Sequence, residues 1–317
     1  MGINSIFLRW NSKFVLPETA MLIKKITVLS TFLVILTSQV NAQRFVTTND
    51  FDRLSKVTFG PTINTYFGEL RRINDPKLQA GLGFGIGYEH LMTDNIALRA
   101  NLSIYNIKAD DALSVIPANQ TRNLNFKATN LEFVVEGMYY MFRHPTSGYR
   151  DRAHVNPFIH LGFGITTVDP KQELINGTNA GTYKMRQLSV EGEQYGTLAM
   201  VVPVGIGFDF FVSREVDIQI DFTYHAAFTG YLDDVSGVYR DQSSFTDTNG
   251  IPAATLAQLS DPRTNLDPPV DAVDAGTPRG NGSNDGFFSV GFKVGFYLPK
   301  SLYGKSSIRC RVVKKTR

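Results

Sequence analysis

The chain has 317 residues, 43% hydrophobic and 12% aromatic, with one cysteine and one tryptophan, which is material for one sizeable domain. A formal net charge of +3 is too small to point to nucleic acid as a partner. Past the N-terminal region no stretch supplies the run of about 20 apolar residues that a membrane helix needs, so any insertion into a bilayer must be through strands.

In chain order, the first feature is Met21-Leu22-Ile23-Lys24-Lys25, then the apolar run Ile26 to Leu36, then Val40-Asn41-Ala42 before Gln43. A basic start, a short apolar stretch and small or tolerated residues at the cleavage positions are the parts of a secretory signal peptide. The expectation is an upstream start artefact at 1–20, a signal at 21–42 and a periplasmic segment at 43–54. The alternative is a signal anchor with a cytosolic extension.

From residue 55 onward eight segments alternate with period two, placing apolar side chains on one face. The apolar sets are the alternate residues of Val57 to Ile63, Leu82 to Tyr88, Ile96 to Ile104, Leu131 to Tyr139, Ile159 to Ile165, Val202 to Phe210, Val216 to Tyr224 and Phe288 to Phe296. A soluble sandwich would bury one face in the same way, but three observations favour a barrel in lipid. The segments reach the roughly 9 to 11 residues of a tilted membrane strand. Short connections at Met92 to Asn95, Arg143 to His154 and Ser213 to Glu215 alternate with mostly far longer ones at 68–79, 108–123, 169–196 and 230–285. Tyr66, Tyr105, Tyr139, Tyr140, Tyr224 and Tyr297 fall towards strand ends, where aromatic girdles meet headgroups. The fold expected is all-β: an eight-stranded antiparallel transmembrane β-barrel at 55–298, with its ends in the periplasm and its long loops outside. The stretch Asp241 to Asp285, rich in Asp, Pro, Gly, Asn, Ser and Thr, is expected to be mobile or only locally structured.

If the apolar sets face lipid, Arg99, Glu132, Glu136, Asp209, Asp217, Asp221 and Lys293 face the lumen, together with Asn101, His160, Gln219 and His225. Eight strands enclose a space that side chains fill, so Arg99 and Lys293 are expected to pair with carboxylates in a salt-bridge plug. An ion-conducting path along the acids, or a carboxylate pair acting with a histidine, is the alternative. A packed lumen offers a substrate no place, so no catalytic residue, small-molecule substrate or cofactor is expected. One cysteine and scattered histidines give no metal-ligand spacing.

After Leu298-Pro299 comes a tail, 299–317, whose charged residues, Lys300, Lys305, Arg309, Arg311, Lys314, Lys315 and Arg317, are all basic. A solvated, disordered tail is the alternative reading, yet this one holds Cys310. An odd cysteine in an oxidising compartment suggests pairing with another chain, so an intermolecular disulfide to a periplasmic partner is expected. Arg150 and Arg152 in the second short turn would join Arg309, Arg311, Lys314 and Lys315 in one basic docking patch, with anionic lipid headgroups as the alternative occupant.

Four stretches carry a family resemblance: Tyr66-Phe67-Gly68-Glu69-Leu70, Arg122-Asn123-Leu124-Asn125-Phe126, Pro157-Phe158-Ile159-His160-Leu161-Gly162-Phe163-Gly164 and, most specific, Thr229 to Tyr239 with Tyr231-Leu232-Asp233-Asp234-Val235-Ser236 at its centre. On these residues the chain resembles the PorG-like outer-membrane barrels of Bacteroidetes type IX secretion systems. It departs from them at Thr65 and at Glu69, where an aspartate is usual. The resemblance implies a non-enzymatic accessory of the secretion and gliding apparatus, embedded in outer-membrane lipid and attached to a periplasmic ring lipoprotein. A stand-alone structural or adhesion barrel and a small-solute porin are the other readings. Asp233 and Asp234 are expected to serve as turn and cap residues, since two adjacent acids fall short of the 6 to 8 oxygens of a calcium site.

Overall fold

The computed structural model describes residues 55–71, 79–143, 153–175, 179–213, 215–266 and 270–298. The signal region, the segment before Ser55, Arg150, Arg152 and the tail with Cys310 lie outside them. Within them are ten strands: β1 (Ser55–Phe67), β2 (Ala80–Leu91), β3 (Ile96–Asp110), β4 (Asn125–Tyr140), β5 (Val155–Thr167), β6 (Pro170–Leu174), β7 (Gly181–Lys184), β8 (Leu198–Phe211), β9 (Val216–Ala227) and β10 (Gly286–Tyr297). β1 to β5 and β8 to β10 pair antiparallel around a complete circuit, with β3 joined to β4 and β10 returning to β1. This is a closed eight-stranded barrel. β6 and β7 form a hairpin that adds to β4 above the barrel wall through Lys127 opposite Lys171.

Alternation decides which way each side chain points. Leu82, Phe84, Ile86, Leu98, Leu102, Ile104, Leu131, Phe133, Ile159, Leu161, Phe163, Ile165, Val204, Ile206, Phe292 and Phe296 are all exposed on the outer surface. Soluble monomers rarely show apolar patches beyond a few hundred Å², and this band runs around the wall, as the surface of a transmembrane barrel does. The opposite positions hold the polar lumen.

Pro61 and Pro203 sit well inside strands of the closed eight-stranded wall, where no edge is free to take them. The β1–β10 ladder pairs Phe59 with Val294 and Thr62 with Gly291 but skips Gly60 and Pro61, whereas β1 and β2 stay paired through both. Pro203 leaves the same gap between β5 and β8, from Leu161 opposite Val204 to Gly164 opposite Val201. Each proline lacks the N–H its ladder needs, and two positions of one seam open while the other seam holds. At the first gap the backbones press together: a β-carbon on Gly60 would collide with the Phe292 carbonyl oxygen. Glycine permits that approach.

Two sequence expectations are corrected. Tyr66, Tyr105 and Tyr140 are not girdle residues; each is buried, pointing into the barrel. Only Tyr139 and Tyr224 of the six stand exposed on the outer wall. The loop at 230–285 is also far more ordered than its composition implies. A short helix α1 (Pro117–Arg122), a second helix α2 (Ala253–Ser260) and the β6–β7 hairpin build a cap over the long-loop end. Its own apolar cluster joins Leu174, Met185, Leu188, Val190, Phe245, Leu256 and Leu259. Burying one such leucine stabilises by about 1.5–3 kcal/mol, which offsets the ordering of loops that would otherwise stay open.

Candidate functional site

The lumen is filled in tiers. At the short-turn end Lys56, on the inward parity of β1, donates from Nζ to Asp209 Oδ2 at 2.8 Å and Asp217 Oδ2 at 3.1 Å, and stands 3.4 Å from Glu89 Oε1. Above it, Arg99 reaches Glu136 at 2.7 Å and Asp221 at 3.0 Å, and Lys293 meets the same Asp221 oxygen at 2.8 Å. His160 Nδ1 lies 2.9 Å from the other Glu136 oxygen. Higher still, His225 bridges Glu132 at 3.1 Å and Ser289 at 3.0 Å. Buried charges are tolerated only when paired in this manner. A cavity of about 30 Å³ lies among these residues, on the scale of ordered water.

Aromatic rings then close the shaft. Phe287 stacks between His225, at 4.2 Å between ring centres, and Tyr105, at 4.4 Å. Tyr66 meets Phe126 edge-on at 4.8 Å. Leu70, Leu124, Val168, Leu232 and Val235 pack on the same cluster from the loops.

At that mouth the motif segments meet. The Tyr66 hydroxyl lies 2.6 Å from Asp233 Oδ2 and 2.6 Å from Asp285 Oδ1, joining positions more than 160 residues apart. A phenol has one proton, so one of the two carboxyls must itself hold a proton to complete both bonds. Burial, with Glu69 close by, pushes the Asp233 carboxyl well above the usual carboxylate range. Burial, then the neighbouring Asp233 and Glu69, does the same to Asp285. Glu69, Asp233 and Asp285 offer oxygens all within 4.8 Å of one another, three ligands against the 6 to 8 that calcium takes. The backbone is tied to the same groups: Leu232 N–H donates to Asp285 at 3.0 Å and Val235 N–H to Asp233 at 2.9 Å, the latter a turn closed by an aspartate side chain.

The chain turns sharply between the two adjacent acids. Asp234 adopts a left-handed φ of 67°, a conformation that Asp tolerates better than most residues, and sends its side chain away from Asp233. It accepts a short hydrogen bond from the Tyr195 hydroxyl and lies 3.5 Å from Arg279. Arg279 also binds Glu191 at 2.9 Å and the Ser260 carbonyl at 3.2 Å, tying the motif loop to α2. Glu191 in turn accepts from the N–H groups of Ser236 and Gly237. Gly280 packs so close that a β-carbon there would lie 2.7 Å from the Val235 carbonyl oxygen. Burial pushes Asp234 up to about 6 against the pull of Arg279. The second motif segment arrives through Arg122, which forks onto Asp111 at 2.7 and 2.9 Å and donates to the carbonyls of Glu69 and Arg279.

Of the residues singled out in the sequence, Arg99, Glu136, Asp221 and Lys293 stand in one tier, Asp209 and Asp217 in another, and Glu132 in a third. Tyr231 stacks on Tyr195 at 4.5 Å, and Leu232 and Val235 are core. Sequence reasoning missed Lys56 and Glu89, whose inward parity was readable. It also missed Glu69, Asp285, Glu191 and Arg279 as partners of the motif, for which no local signal exists. Among the described residues, neither the tiers nor the mouth sets a nucleophile beside a base with space for a substrate.

No protein-family profile and no curated relative matches the chain. Among solved structures it is similar to Neisserial surface protein A, at 10% identity over 77% of this chain and 97% of the other, with a TM-score of 0.37. It is similar to Ail of Yersinia pestis, solved in complex with the heparin analogue sucrose octasulfate, at 8% identity over 78% and 100%, with a TM-score of 0.36. It is also similar to the outer-membrane protein OprG of Pseudomonas aeruginosa, at 10% identity over 78% and 98%, with a TM-score of 0.35.

Proposed function

We propose that this chain is a non-enzymatic outer-membrane barrel, closed to solutes, that anchors a protein assembly in the membrane. The observation that carries this reading is the continuous filling of the shaft, from Lys56 through Arg99 and His225 to the rings of Phe287 and Tyr66. A barrel filled in this way has no solute path to offer and can work only by what it holds on either side. In this reading the short turns face the periplasm and the cap faces outward. The assembly is the periplasmic ring of a type IX secretion system, a choice supported by the run Tyr231 to Ser236 and its companion segments. Cys310 with Arg309, Arg311, Lys314 and Lys315, and Arg150 with Arg152, are the proposed inner contact.

Deleting 301–317 while the barrel still inserts is expected to abolish secretion and recovery of a crosslinked periplasmic lipoprotein. Normal secretion by that variant would overturn the anchor. Steady conductance of the purified chain in planar bilayers would overturn closure and favour a porin. A second reading, a stand-alone structural or adhesion barrel, is favoured by the folded cap with its own apolar cluster. It predicts loss of surface adhesion, with secretion intact, when 241–266 is replaced by a Gly/Ser linker.

A further inference from the structure

Four lysines stand in one row across four neighbouring strands: Lys108 of β3 opposite Lys127 of β4, Lys127 opposite Lys171 of β6, and Lys171 opposite Lys184 of β7. Cross-strand partners share a face, and Lys127 has the parity of Leu131 and Phe133, so the row lies on the outer wall. Lys108, Lys127 and Lys184 are exposed and Lys171 is half-buried. None of the four forms an ion pair with a described residue. Like charges directly opposite one another destabilise a sheet, so a row of four calls for an anion from outside the chain.

Height says where that anion comes from. Lys108 lies four residues beyond Ile104, and Lys127 four beyond Leu131, the last outward-facing apolar positions of their strands. At about 3.3 Å per residue and a tilt near 40°, the row sits roughly 10 Å above the hydrocarbon edge, among lipid headgroups. A cavity of about 650 Å³ opens beside it, lined by Lys108, Lys127 and Lys171 with Phe126 and Ile175. Asp110 and Glu173 edge the same cavity one row further out, so the face keeps a net positive charge and has an acidic rim.

We propose that this face binds a phosphorylated glycolipid of the outer leaflet, its phosphates on the lysine row and its acyl chains on the wall below. The inference rests on the membrane orientation given above. Each lysine near an anionic surface contributes roughly a fivefold gain in binding, so the row far exceeds a random scatter of charge.

The test uses the full chain in detergent micelles doped with a bisphosphorylated glucosamine-disaccharide lipid, its dephosphorylated form or phosphatidylglycerol, with bound lipid read by native mass spectrometry. Wild type is expected to retain the phosphorylated glycolipid at least about tenfold over the other two. K108Q/K127Q/K171Q/K184Q should lose that preference and the corresponding arginine variant keep it, with heat-modifiable gel mobility reporting that both barrels fold. Equal retention by wild type and the glutamine variant would overturn the proposal, as would retention of the dephosphorylated lipid or phosphatidylglycerol at the same level. Should the glutamine variant fail to fold, the wild-type preference must still erode as salt rises from about 50 to about 500 mM; a salt-independent preference refutes the row. Release of the wild-type chain from membranes by alkaline carbonate is a separate result, and it overturns the membrane reading itself.

Discussion

Lys56 is the test of whether the lumen is an energetic plug or only a filled space. Its ammonium lies 2.8 Å from Asp209, 3.1 Å from Asp217 and 3.4 Å from Glu89, and all four side chains are at most 5% exposed. Lys56→Met keeps most of the volume and removes the charge, leaving three carboxylates to repel one another out of reach of water. Breaking a buried pair by deleting one partner costs about 3–5 kcal/mol, and with two close partners the loss here belongs in the upper half of that range. Lys56→Met/Asp217→Asn removes one of the stranded charges and should recover part of the loss. The lone tryptophan, Trp10, is not among the described residues, so urea unfolding in lipid vesicles is followed by far-ultraviolet circular dichroism or by gel mobility. A loss under about 1 kcal/mol, or a double variant no better than the single one, would show that solvent reaches this tier and that the closed-shaft reasoning is wrong.

The mouth should be more stable in acid. Asp233, Asp234 and Asp285 all ionise at higher pH in the folded protein than in the unfolded chain, so the stability they lend is complete below the ordinary carboxylate range. It is lost as the pH rises, through about 6 for Asp234 and higher for the other two. Amide exchange at 229–239, corrected for intrinsic rates, should therefore be better protected at pH 5 than at pH 8, and Asp285→Asn should flatten the difference; greater protection at pH 8 in wild type contradicts the assignment. Leu259→Ala, at a fully buried position of the cap cluster, should cost the cap about 2–5 kcal/mol and expose 241–266 to protease, while the barrel's gel mobility is unchanged. A parallel shift of the barrel transition would mean that cap and barrel fold as one unit.

The barrel was legible because a period-two pattern states which side of a strand meets lipid, and Lys56, Glu89 and the tier residues all obey it. Placing Tyr66, Tyr105 and Tyr140 in the girdle fails for want of the same test. Tyr66 shares parity with Thr62 and Asn64, Tyr105 with Arg99 and Asn101, and Tyr140 with Glu136, all inward, whereas nearness to a strand end says nothing about the face. The cap was not legible. Its composition is that of a loose loop, and Leu256 and Leu259 gain their partners from Leu174 to Val190, in another loop. Tyr66, Asp233 and Asp285 are brought together only by closure of the barrel, which places the starts of β10 and its preceding loop beside the end of β1.

That convergence changes what the motif can mean. Tyr66 to Leu70, Arg122 to Phe126 and Thr229 to Tyr239 are three of the four segments that carry the resemblance to secretion-system barrels, and they meet at one mouth. There Tyr66 satisfies Asp233 of the third segment, together with Asp285 ahead of β10, and Arg122 satisfies the carbonyl of Glu69 in the first. A buried donor or acceptor left unsatisfied costs about 1–3 kcal/mol, so residues locked in this way are constrained together by folding alone. The motif therefore speaks for a common mouth architecture, on the side of the barrel away from the proposed periplasmic contact. A barrel with this mouth and another tail would keep every partner of Tyr66 and still lack the anchor. Within the proposed function, the specificity for a periplasmic partner belongs to the short-turn side and the residues after Leu298, and the mouth serves the closure of the shaft.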